Sequence, residues 1–94
     1  MDTEDNWRIR IHDKEMLEYW EGDDGYVFDC AWGVAPGTLF VPPASIWEDS
    51  VPSWMRGRRE IVLQRLRERS GHDVVDDDRS YRDWTTRVLR SAGK

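Results

Sequence analysis

The chain has 94 residues and a formal net charge of −5, with 14 Lys and Arg against 19 Asp and Glu, a length that suits one domain. Charged residues make up 35% of it, yet it carries six Trp, three Tyr and two Phe, and disordered chains are poor in rings. A small folded domain with an aromatic core is expected. A bilayer-spanning segment is excluded because no apolar run approaches ~20 residues, and a disulfide framework or multi-cysteine zinc site because Cys30 is the one cysteine.

The first half reads as strands. Trp7, Ile9 and Ile11 alternate with Arg8, Arg10 and His12, a period of two. After the polar turn Asp13-Lys14-Glu15 comes Met16–Glu21, where both Leu17/Tyr19 and Met16/Trp20 are apolar sets and the inward face is open. Glu21-Gly22-Asp23-Asp24-Gly25 is a hairpin loop. In Tyr26–Trp32 the position of Asp29 marks a solvent or edge side, so Phe28 and Cys30 are expected to face the core. A turn through Pro36 leads to a fourth strand, Thr38–Val41, which Pro42-Pro43 ends by removing two backbone donors.

The second half reads as helix. Ile61, Val62 and Leu66 share one helical face with Trp54 or Met55. Pro52 and Ser53 suit the entry, Gly57 weakens the first turns, and Gly71 is a natural stop. Val74-Val75 forms a fifth short strand, and Asp76-Asp77-Asp78 belongs in water. Ser80-x-x-Asp83 resembles a capping box opening a short C-terminal helix. Its apolar stripe, Tyr81, Trp84 and Val88, buries on the domain, on a second copy of the chain or on a partner. The expected fold is α+β: a four- to five-stranded antiparallel meander covered on one face by one amphipathic helix. Residues 1–78 form the domain and residues 79–94 a C-terminal helical extension.

Catalytic and metal signals are weak. His12 and His72 are sixty residues apart and lack metal-ligand spacing. Three consecutive aspartates without the glycine and distal glutamate of a calcium loop read as a solvated turn. Cys30 on a core-facing strand position beside Asp29 reads as a small buried hydrophobe, because a reactive thiol needs an electropositive, accessible setting. No nucleophile with a base and an orienting partner is identifiable. No enzyme activity, cofactor or metal is therefore expected.

Charge is distributed unevenly. Twelve acids against Arg8, Arg10 and Lys14 leave residues 1–52 at −9, whereas six Arg against Glu60 and Glu68 leave residues 53–71 at +4. An acidic sheet half carrying aromatic anchors suits a basic protein partner. The Arg-rich helix, through Arg56, Arg58, Arg59 and Arg65, suits a phosphate backbone, although the net charge repels nucleic acid at long range.

From Ser45-Ile46-Trp47-Glu48 through the acidic-proline loop (Asp49, Pro52), the run Arg59-Glu60-x-Val62-Leu63-x-x-Leu66, Gly71 and the Val-Val strand, about half of the chain is similar to small bacterial immunity proteins that accompany polymorphic toxins. The resemblance implies a short antiparallel sheet carrying one helix, and a role in binding a cognate toxin domain and blocking its active site. Contacts would come from Trp20, Glu21, Asp23 and Asp24 at the hairpin and from Trp47, Glu48 and Asp49 in the following loop. Two further readings accompany it. One is a phage or mobile-element accessory protein that binds a host protein through the same acidic face. The other is a DNA-associated regulator that uses the arginine helix and dimerises through Tyr81, Trp84 and Val88. The acidic start Met1–Asp5 lacks a targeting pattern, so a cytoplasmic protein with no membrane contact is expected.

Overall fold

The computed structural model describes residues 6–11, 15–31 and 37–90. The expectations for Met1–Asp5, His12, the Asp13-Lys14 turn, Trp32, the turn through Pro36 and residues 91–94 lie outside them. The fold is α+β. Strands β1 (Trp7–Ile11), β2 (Met16–Glu21), β3 (Asp24–Ala31) and β4 (Thr38–Val41) follow one another as an antiparallel meander. The turn between β2 and β3 is tighter than expected. Only Gly22 and Asp23 lie between the strands, and Gly22 takes φ 61°, the first central position of a two-residue hairpin turn that glycine fills without steric cost.

Pairing settles the face of β2. Leu17 sits opposite Phe28 and Tyr19 opposite Tyr26, and all four are fully buried. Met16, Glu18 and Trp20 therefore point to the opposite face, because side chains alternate along a strand.

Between β4 and the next strand lie α1 (Trp47–Ser50), a 3-10 turn (Ser53–Met55) and α2 (Arg59–Ser70). The helix starts after Gly57, and Gly71 ends it with its N–H on the Arg67 carbonyl. Val62, Leu63 and Leu66 bury against the sheet. Strand β5 (Asp73–Asp76) returns parallel to β4, with Leu39 beside Val74. A parallel neighbour requires a crossover connection, and α2 supplies it. The fifth strand thus breaks the antiparallel meander because the helix is inserted before it.

The C-terminal segment differs from the expected α-helix. Two single 3-10 turns, Arg79–Tyr81 and Trp84–Arg87, lead into a sixth strand, β6 (Val88–Arg90). Asp83 (φ −100°, ψ 50°) interrupts the helical path, and Thr85 and Thr86 are weak helix formers. Asp77, rather than Ser80, does the capping. Its carboxylate accepts the N–H groups of Arg79 and Ser80 and the Ser80 hydroxyl. Partial burial pushes that carboxyl up, but these bonds together hold it below the usual carboxylate range.

Strand β6 pairs with Asp24–Tyr26 while β4 pairs with Asp29–Ala31. One edge of β3 is therefore shared by two short strands with a gap between them. Strands β1 and β5 form the ends of the path β1-β2-β3-β4-β5, and β6, paired among the described residues with β3 alone, is a third and shorter edge.

Candidate functional site

Glu21 and Asp24 of the hairpin point to the helix-covered face and meet arginines. Glu21 accepts two bonds from Arg58 at 2.8 Å and one from Arg65 at 3.2 Å. The Tyr19 hydroxyl donates to Glu21 and accepts from Arg65 at 2.9 Å. Burial, then the Glu21 carboxylate, pushes the Tyr19 phenol far up, so at neutral pH it is a donor and not a base. Contact with Glu21 holds the Arg58 guanidinium more firmly protonated than usual. Trp7 and Trp54 flank the Tyr19 ring, and Arg65 and Arg69 lie 5.2 and 4.9 Å from the Trp7 centroid. Asp24 reaches Arg90 at 3.3 Å. Of the three hairpin acids Glu21, Asp23 and Asp24, Asp23 alone is exposed and has no partner among the described residues.

Trp20 lies on the other face of the sheet and is 7% exposed. Its ring lies flat on Gly25, where an added Cβ would come within 2.8 Å of it. Its Nε1 donates to Glu18 at 2.8 Å, and Arg8 lies 5.0 Å above the ring. Trp47 is buried as well, with Nε1 donating to the Met55 carbonyl at 3.0 Å and Arg59 over its ring. Both tryptophans expected at the contact surface are structural.

Glu48 and Asp49 are exposed on α1. The short helix is pinned on three sides: by the Trp47 bond, by the Tyr26 hydroxyl donating to the Ser50 carbonyl at 2.7 Å, and by Gly57 N–H donating to Glu48 at 2.7 Å. These two acids are thus presented from a fixed backbone, Glu48 at a shallow groove lined by Trp47, Gly57, Arg58 and Ile61 and Asp49 at a separate one with Ile46, Asp78 and Arg82.

Three of the four helix arginines singled out from the sequence are engaged inside the molecule. Arg58 and Arg65 hold Glu21. Arg59 donates to the Pro42 carbonyl and to Asp76 at 3.0 Å. Arg56 is exposed and donates to the Val51 carbonyl.

A second cluster, not foreseen as a unit, fills the gap in the β3 edge. Asp29 N–H donates to the Tyr81 hydroxyl at 3.0 Å, and that hydroxyl donates to the Phe40 carbonyl. Arg87 makes two 2.9 Å bonds to the Asp29 carboxylate and bonds the Val27 and Ser80 carbonyls. Its guanidinium lies 4.3 Å from the Tyr81 centroid. Burial works against that charge, but the Asp29 bonds outweigh it and leave Arg87 more firmly protonated. The sequence signal was Asp29 itself, a carboxylate in a run of core-forming residues. Tyr81 is fully buried and stacks on Tyr26, so of the stripe Tyr81, Trp84 and Val88 only the last two reach the surface. Val88 is exposed and Trp84 is half-buried.

Both clusters are closed: each carboxylate is bound by guanidinium, and each phenol is a buried donor. Among the described residues no three His, Cys, Asp or Glu side chains converge to hold a metal ion, and no helix is long and apolar enough to cross a membrane. Compared with protein-family models, curated proteins and solved structures, the chain matches none.

Proposed function

We propose that this chain is a non-catalytic binding module that docks a basic protein partner through exposed acids, in the manner of a bacterial immunity protein neutralising a cognate toxin. The reading rests on one contrast. The helix arginines Arg58, Arg59 and Arg65 are spent on internal partners, while Asp23, Glu48 and Asp49 stay in water. Half of the arginines of the positive segment are thereby consumed, while Arg56, Arg67 and Arg69 stay exposed beside Glu60 and Glu68, so the reading rests on the acids that remain exposed. Glu48 and Asp49 carry most of the weight, because a pinned α1 loses little freedom on docking. The surface is narrower than the sequence implies: Trp20, Trp47, Glu21 and Asp24 support the scaffold rather than touch the partner.

The test is co-expression with the product of the neighbouring gene, scored for relief of toxicity, alongside calorimetric titration of the purified pair. Tight binding that weakens with salt, and that falls at least about tenfold when Asp23, Glu48 and Asp49 are exchanged for Ser, supports the reading. Unchanged affinity in that triple variant removes this face. A low-salt gel shift with duplex DNA that is lost in Arg56→Ala would replace the reading with the DNA-associated one.

A further inference from the structure

The two end strands of the path β1 to β5 carry opposite charge, whereas the third edge, β6, carries the exposed Arg90 and so repels the arginines of β1. On β1, Arg8 and Arg10 are exposed, and on β5 Asp73 and Asp76 are exposed. These strands also hold two of the three most exposed large apolar side chains among the described residues, Ile11 (50%) and Val75 (43%). Exposed edges are templates for strand addition, and charge on an edge normally blocks it. Between like edges no opposite charges meet: β1 against β1 sets arginine on arginine, and β5 against β5 with matched faces sets each aspartate opposite a valine. Of these pairings, only β1 against β5 can set arginine opposite aspartate.

We propose that copies of this chain associate head to tail, β1 of one copy extending the sheet at β5 of the next. The strand directions permit it. Strands β1 to β4 alternate in direction and β5 runs parallel to β4, so in two copies of the same orientation β1 meets β5 antiparallel. The same orientation also keeps the helix-covered face of both copies on one side.

One register covers all four residues of β5 and sets Arg10 opposite Asp73. It then places Ile9 opposite Val74, Arg8 opposite Val75 and Trp7 opposite Asp76. Arg10 and Asp73 share the face away from the helix, while Ile9 and Val74 share the helix face, as the pairings within the sheet require. A shift of two residues in either direction loses either the charge pair or half of the pairing. The pairing is short and heterologous, so the association is weak, concentration-dependent and open-ended. It is independent of the acids on α1 and of the toxin-binding reading.

Sedimentation velocity on the full chain, from low micromolar to near-millimolar concentration, tests it. The wild-type chain is expected to gain mass with concentration and to revert to monomer as salt rises. Arg10→Asp and Asp73→Arg are each expected to weaken association by about tenfold or more. An equimolar mixture of the two variants restores it, because each then meets an edge of opposite sign, and that recovery also shows that both fold. A wild-type chain that stays monomeric throughout overturns the proposal. So does a single variant that associates like wild type, or a mixture that stays monomeric.

Discussion

Two tyrosine–carboxylate–arginine clusters hold this fold, and they do different jobs. The Glu21 cluster lies between layers: Tyr19 and Glu21 come from the hairpin, Arg58 and Arg65 from the helix and its approach, so its bonds tie helix to sheet. The Asp29 cluster lies within the sheet. Tyr81 and Arg87 take up backbone groups of β3 and β4 where no strand does so. In the first, Arg65 is enclosed at 6% exposed with Glu21 at 20%, while Arg58 reaches water at 30%; in the second, Arg87 is 16% and Asp29 34% exposed, so the carboxylate is the more open of the two. Polar side chains thus do two things that a thin core cannot: bridge layers and complete a ladder. The cost of breaking each should follow its burial.

Alkali should break both at once. Burial pushes the phenols of Tyr19, Tyr26 and Tyr81 up, and these are the only tyrosines in the chain. A raised folded-state value means that the neutral phenol stabilises the fold. That stability is fully present below the unfolded phenol value of about 10 and erodes as pH rises above it. Tyrosinate absorbance and circular dichroism should therefore change together, in one cooperative step above that value. Gradual titration near pH 10 with the fold intact would show that the phenols are accessible.

Tyr81→Ala should be the most costly single substitution, about 3–5 kcal/mol from the lost ring and its cavity. Tyr81→Phe keeps the ring and strands only the Asp29 N–H and the Phe40 carbonyl, about 1–2 kcal/mol. Urea unfolding of the pair separates packing from ladder completion. Near-equal losses would mean that the hydroxyl, not the ring, is what the site needs.

Between the clusters, Glu21→Gln is expected to cost about 3 kcal/mol, because it leaves Arg65 charged and enclosed. Asp29→Asn should cost roughly half as much, since water reaches that pair and Arg87 retains two carbonyl partners. The reverse order in chemical denaturation would mean that closing the sheet matters more than joining the layers.

How much of this could be read beforehand follows from the range of each interaction. The meander, the helix face at Val62 and Leu66, the stop at Gly71 and the Val74-Val75 strand were legible because period and turn chemistry are local. The inward face of β2 was not, since both of its faces carry rings and only the partners Phe28 and Tyr26 decide between them. The fates of Glu21, Arg58 and Arg65 were hidden for a related reason. In the sequence they read as an acidic half and a basic helix, and only the crossover that lays the helix beside the hairpin turns opposed charges into internal pairs. The C-terminal segment was misread because its stripe fits a helix locally, while the open stretch of β3, far away in the chain, takes Tyr81 and Arg87 instead.

The smallest effect should come from the third pair, Asp24 with Arg90. Arg90 is 79% exposed and the contact is 3.3 Å, so screening and side-chain entropy cancel most of the attraction. Arg90→Ala should change stability by less than about 0.5 kcal/mol. The pair nevertheless sits at the outer end of β6, whose only sheet partner among the described residues is the start of β3. If it anchors that strand, amide exchange in Val88–Arg90 should quicken in the variant while global stability holds. If Arg87 is the anchor, exchange there should stay unchanged in Arg90→Ala and rise sharply in Arg87→Ala. The second outcome is expected, because Arg87 binds the Asp29 carboxylate and the carbonyls of Val27 and Ser80, and so fixes the chain immediately before β6 begins.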